Sequence, residues 1–309
     1  MSRIDVHHHL VAPQYIQELR DLGTLTPHLA SIMNEKDAIA DMDKAGVSLA
    51  VNSATLPEGI EGAARVKFAR ENNEYMTRLV GDYPGRFGTF ASLPLPDVDA
   101  TLKEIAYAYD VLKVDGVHLI TSYGDHWLGD KVFAPVFDEL NRRKAVIYTH
   151  PHGPCCTQNI LKDIDIRDSS IEYGTDTTRA LVNLLFGGTL HRCPDIKIIF
   201  SHGGGTMPFL VERFIRMEKI ARYAPLMPNG FVAEARKFFY DTAQVLHGSP
   251  LLALKHLIPL QQICYGTDYP WRYSDECVNG LIKSGAFTTE ELRAIDNNAA
   301  PLLPRFAAR

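Results

Sequence analysis

Eight short apolar runs, each parted from the next by a longer stretch with helical periodicity, constrain this chain more than any single motif. The runs are Ile4–His8, Ser48–Ala54, Arg86–Ser92, Gly116–Thr121, Ala145–His150, Ile196–His202, Phe238–Thr242 and Gln262–Asp268. Several are nearly unbroken hydrophobic segments, the pattern of parallel strands covered on both faces. The stretches between them read as helices. Lys36–Ala45 puts Ala38, Ile39, Met42 and Ala45 on one face and stops at Gly46. Ala63–Tyr83 is amphipathic, Asp97 opens a helix through Val111, and Phe133–Arg143 carries cations in its last turn. Asp176–Cys193 and Pro208–Tyr223 follow, and Thr288 with Glu291 is a capping signature for a last helix.

Strands alternating with helices, with no break in composition, describe one α/β domain over residues 1–309. Eight strands in a chain of this length make a (β/α)8 TIM barrel the leading architecture, ahead of a doubly wound open sheet. Residues 10–35 and 151–175 read as insertions, each following a strand end that carries histidine, so both are placed to roof those ends.

Charge and cysteine usage narrow the partners. The net charge is −5 with acids and bases mixed along the chain, so nucleic acid is not an expected partner. No run approaches the ~20 apolar residues of a membrane span, and the opening MSRIDVHHHL lacks a signal-peptide core. The expectation is a cytoplasmic protein with no membrane partner. The five cysteines, Cys155, Cys156, Cys193, Cys264 and Cys277, are odd in number and form no CxxC, which fits a reducing compartment without a disulfide framework.

Four strand ends carry the chemistry. In Asp5-Val6-His7-His8-His9 the alternation of a strand points His7 and His9 to one side, where two imidazoles can share a metal ion. His8 faces the other way, in a supporting or structural role. A tag would be longer and would not sit inside an apolar strand. The fifth run ends in His150, across a barrel from the first, where it can complete the metal shell. His152, just beyond, has a substrate or supporting role. His202 closes the sixth run before three glycines, which let backbone approach a ligand, so it is read as catalytic or substrate-binding. Asp268 closes the last run, next to the first, as ligand, proton shuttle or both. His118, in the fourth run, is a candidate substrate contact. A barrel gathers all such ends on one rim. Mixed histidine and carboxylate ligands suit zinc, with manganese or magnesium as alternatives.

These motifs together resemble the amidohydrolase superfamily, in its branch of metal-dependent, non-oxidative decarboxylases that includes the aminocarboxymuconate-semialdehyde and 6-methylsalicylate types. The matching pieces are IDVHHH, Gly88-Thr-Phe-Ala-Ser-Leu-Pro94, His150-Pro151, SHGGG with Pro208-Phe209, and GTDYP. IDVHHH and Asp115-Gly-Val-His118 look most like the 6-methylsalicylate type. The resemblance implies metal ligands at His7, His9, His150 and Asp268 and a catalytic histidine at His202. It also implies a homodimer in which Arg213, otherwise an ordinary surface cation, reaches across to the substrate carboxylate. Two positions depart from the semialdehyde type. Met33–Asp37 contains no arginine, and His152 stands where that type has Trp. The expected reaction is release of CO2 from a small aromatic or unsaturated carboxylic acid, 6-methylsalicylate or another hydroxybenzoate foremost. Asp268 would protonate the carbon that bears the carboxylate, with His202 orienting it. Hydrolysis or hydration of a lactone, amide or unsaturated dicarboxylate is the alternative for the same metal shell.

Overall fold

In the computed structural model, which describes residues 3–57, 59–153 and 166–306, eight parallel strands follow one another in chain order. They are β1 (Arg3–His8), β2 (Val47–Asn52), β3 (Phe87–Ser92), β4 (Gly116–Ile120), β5 (Val146–His150), β6 (Lys197–Phe200), β7 (Phe239–Asp241) and β8 (Ile263–Cys264). Each is followed by a helix: α1 (Glu35–Ala45), α2 (Gly62–Asp82), α3 (Val98–Tyr107), α4 (Ala134–Arg142), α5 (Asp168–Phe186), α6 (Met207–Met217), α7 (Gly248–Leu257) and α8 (Ser274–Ser284). The sheet closes where the stretch after β8 runs beside β1. Val6 N donates to Tyr265 O at 3.1 Å, Asp268 N to His7 O at 2.8 Å and His9 N to Tyr269 O at 2.8 Å. This is a (β/α)8 barrel.

Local chemistry sets the helix ends. Asn34 caps α1 by accepting from the Lys36 and Asp37 N–H groups, and Gly46 ends it at φ +66°. Asp97 caps α3 through the Ala100 N–H, and Thr288 with Glu291 builds the expected capping box on the last helix, Thr289–Ile295. Two helices differ from their sequence-based bounds. The one expected over Asp176–Cys193 begins at Asp168 and breaks at Gly187-Gly188, and the one expected over Pro208–Tyr223 ends at Met217. The strand expected over Gln262–Asp268 is regular only at Ile263–Cys264. Gly266 approaches β1 so closely that a Cβ would lie 2.9 Å from that of His7, and Asp268 turns to φ +71°, so the segment cannot stay extended.

Two cores stabilise the barrel. Ile4, Val6, Leu49, Phe90, Tyr148 and Ile199 fill its interior, closed off by Leu302 and Leu303. A larger layer, with Val117, Leu119, Phe137, Leu181 and Leu184, lies between strands and helices. Each such fully buried aliphatic or aromatic side chain contributes about 1.5–3 kcal/mol. Register matters at β1. Asp5 stands opposite Ala50 and His8 opposite Asn52, so Val6 and His7 together face the single residue Val51. An extra residue of this kind re-aims the side chains that follow it. Val6 joins the interior core and His7 still points inward. The N-terminal insertion forms two short helices, Ile16–Asp21 and Pro27–Ile32. Of the second insertion, residues 154–165, with Cys155 and Cys156, lie outside the described residues. Among the described residues no helix is long and apolar enough to cross a membrane.

Candidate metal centre

The strand ends bring His7 and His9 from β1, His150 from β5 and Asp268 from beyond β8 to one point. One donor atom from each lies within 4.8 Å of all the others. Asp268 Oδ1 is 3.2 Å from His7 Nε2, 3.4 Å from His9 Nε2 and 4.0 Å from His150 Nε2. All four residues are buried, and the three Nε2 atoms have no hydrogen-bond partner. Orphaned buried polar atoms are costly, and three imidazole nitrogens aimed at one carboxylate oxygen fit a cation at their centre.

The far side of each β1 ring is fixed. His7 Nδ1 lies 2.8 Å from Asp241 Oδ2, and His9 Nδ1 lies 3.0 Å from the Ser53 carbonyl, which can only accept. The His9 proton therefore sits on Nδ1 and leaves Nε2 free to coordinate. Burial disfavours a charged His7, but the Asp241 and Asp268 carboxylates outweigh it and raise this ring to about 10. Burial, with the neighbouring imidazoles, pushes His150 well below its ordinary value, and burial likewise lowers His9. Asp268 is held well below the carboxylate range. Burial opposes this, and the His7 charge, with the close approach of the His202, His7 and His9 rings, overcomes it.

His202 follows β6 with φ +53°, anchored by its N–H donating to Asp241 Oδ1 at 2.8 Å. Its Nε2 lies 3.6 Å from Asp268 Oδ2, the oxygen turned away from the three imidazoles. Gln244 Nε2 donates to that same oxygen at 2.8 Å. His8 faces away from the cluster, as alternation requires. It bonds Asn52 Oδ1 at 2.7 Å and stacks on Tyr269, and burial pushes it down to about 3.

A cavity of about 900 Å³ opens over the cluster, lined by His9, His150, His202 and Asp268 below and by both insertions above. His152 lines it, lowered to about 4 by burial and then by the Arg65 guanidinium. His118 does not. It is buried, with its ring centroid 6.4 Å from that of His150. Arg213 is exposed on α6 and also absent from the cavity wall. Sequence reasoning missed Asp241 and Gln244. Asp241 closes the seventh strand as Asp268 closes the eighth run, and that parallel was its one available signal. Gln244 lies in a loop and carried none.

Comparison with known proteins identifies the family. Residues 4–300 match the profile of the Amidohydrolase family. The decarboxylase yanB of Aspergillus niger is 36% identical over 296 residues, covering 88% of this chain and 78% of the relative. The 6-methylsalicylic acid decarboxylase of Penicillium expansum is 34% identical over 327 residues, covering 99% of this chain and 97% of its own length. In fold, a dihydroxybenzoic acid decarboxylase from Polaromonas, solved with manganese and the inhibitor 2-nitroresorcinol, superposes with a TM-score of 0.82 at 20% identity, over 98% of this chain and 97% of that one. The chain belongs to the amidohydrolase family. Within that family it stands with the non-oxidative decarboxylases of aromatic acids, which are carboxy-lyases.

Proposed function

We propose that this chain is a zinc-dependent decarboxylase of a hydroxybenzoate, 6-methylsalicylate foremost. The observation that carries the reading is the trio of orphaned Nε2 atoms around Asp268 Oδ1 at the base of a cavity. Three nitrogens and one carboxylate suit zinc better than magnesium or manganese, which favour oxygen. His7, His9, His150 and Asp268 would hold the ion. Bound there, it supplies the positive charge that binds and orients a substrate carboxylate and its neighbouring phenolate.

The chain's own residues carry the proton. The proton that reaches carbon arrives through His202, whose Nε2 lies 3.6 Å from Asp268 Oδ2. Gln244 pins Oδ2 toward the cavity. Asp268 delivers the proton to the ring carbon bearing the carboxylate, and aromaticity is lost. The electron pair of the carbon–carbon bond then returns to the ring as CO2 leaves. His202 restores the proton from water. His152 faces the ring from the cavity wall. Arg213, exposed on α6, is free to serve a second copy of the chain in a homodimer. The buried free thiols Cys193, Cys264 and Cys277 suit the reducing cytoplasm.

The test is elemental analysis of purified protein combined with CO2 release from 6-methylsalicylate. One equivalent of zinc, activity abolished by chelation and restored by zinc, and loss of release in Asp268→Asn are expected. Undiminished CO2 release from metal-free protein refutes the reading, and acid release from a lactone in place of CO2 replaces it.

A further inference from the structure

The cavity is large for a one-ring acid. Ligand pockets run from about 300 to 1,000 Å³ and bury most of what they hold, so one of about 900 Å³ stands near the top of that range. A benzoate seated at the metal ligands leaves most of it to water. The unfilled part has a definite character. From the N-terminal insertion, Val11, Leu19, Leu22, Leu25 and Met33 line one side, and Trp271 continues that wall down to the metal ligands. The Trp271 ring stands edge-on to His9 with centroids 5.4 Å apart. Val11, Leu19, Leu25 and Met33 are buried and fixed in the core, whereas Leu22 and Trp271 remain 44% and 42% exposed at the mouth. Large apolar side chains left facing a cavity are stabilised by an apolar occupant.

Charge points the same way. Among the described residues lining the cavity, Arg167 is the only lysine or arginine, and Asp168 follows it directly. Among the described residues, the apolar wall itself offers a second substrate carboxylate no lysine or arginine.

We propose that the cavity is built for a monocarboxylic hydroxybenzoate bearing an extended apolar substituent, an alkyl chain longer than methyl, which lies along the Leu19–Leu22–Leu25–Trp271 wall. This rests on the decarboxylase reading for its carboxylate end and on the wall alone for its tail. The reaction is balanced as before. One proton is taken up, the ring–carboxylate bond breaks, and CO2 and a 3-alkylphenol leave.

The experiment compares metal-loaded protein on 6-methyl- and 6-pentylsalicylate by CO2 release, and measures binding of 3-methyl- and 3-pentylphenol by calorimetry. A fully buried methylene is worth about fourfold (~0.8 kcal/mol). With the mouth of the wall half open, four methylenes are expected to raise kcat/KM and tighten Kd by at least ~tenfold. Leu22→Asp, at a site open enough to tolerate charge, is expected to cut both preferences by about fivefold or more. Faster turnover of the methyl compound, or alkylphenols binding with no dependence on chain length, overturns the proposal. CO2 from neither acid, with 3-pentylphenol still bound more tightly, supports the wall and sinks the decarboxylase reading instead.

Discussion

Asp241 touches neither the cavity nor the donor cluster's centre, yet its loss is expected to weaken metal binding by one to two orders of magnitude. Its Oδ2 lies 2.8 Å from His7 Nδ1 and accepts from the Tyr148 hydroxyl at 3.3 Å. Its Oδ1 accepts from the backbone N–H groups of His202 and Ala243 at 2.8 and 3.0 Å. Asp241→Asn can keep the two backbone bonds on its remaining carbonyl oxygen, but puts an NH2 where His7 and Tyr148 need an acceptor. The bond lost involves a charged partner in a fully buried site, worth about 1.5–3 kcal/mol, or roughly 10–150-fold in affinity. Ligand-supporting carboxylates lose about 10–100-fold when replaced. The assay is competition for zinc against a chelator of known affinity, with circular dichroism confirming the fold. A variant that holds zinc within twofold of the parent refutes the idea that Asp241 positions His7. Asp241→Ala is the less informative change, since it strands two buried N–H groups and risks unfolding.

Three further outcomes are expected. Gln244→Asn keeps a residue type that tolerates the φ of +58° but withdraws the amide from Asp268, so kcat falls about tenfold while metal content, by elemental analysis, is unchanged. Gly205→Ala drives a Cβ into the Gly174 carbonyl at a backbone φ of +68°, and the thermal midpoint should fall by an amount equivalent to ~2–4 kcal/mol. Burial, then the charge of His9, holds His118 near 3, so between the ordinary imidazole value and about 3 the unfolded chain binds a proton that the folded chain does not. Stability is therefore full above the ordinary value and is lost as pH falls through that window, by up to about 1.4 kcal/mol per pH unit. His118→Phe should flatten that slope in urea melts taken at successive pH values.

The barrel was legible because its signal is repetitive. Strand β5 reads directly from Val146-Ile-Tyr-Thr-His and α1 from its Asn34 and Gly46 bounds, with neither depending on distant contacts. Departures occur where tertiary contacts override local pattern. The β8 run looks extended in sequence but bends at Gly266 and Asp268 to meet β1. The histidines of the site announced themselves by closing apolar runs, because a charged or polar residue at that position has no packing reason to be there. Supporting groups gave no such signal. Asn52 under His8 and Gln244 beside Asp268 are unremarkable residues whose partners lie 44 and 24 positions away. His118 gave a weaker signal, because it lies in the middle of β4 and does not end its strand as His150 does.

The seam that closes the barrel is held by Asp5, which accepts from the Thr267 N–H at 3.1 Å and its hydroxyl at 2.6 Å, 262 residues apart in the chain. During synthesis the histidine pair leaves the ribosome long before its carboxylate. A nascent chain therefore carries these imidazoles without the Asp268 carboxylate until the segment after β8 docks, so completion of the donor set and of the sheet become one late event. Protein halted before residue 268 would be left with an open cylinder and an incomplete set of metal donors.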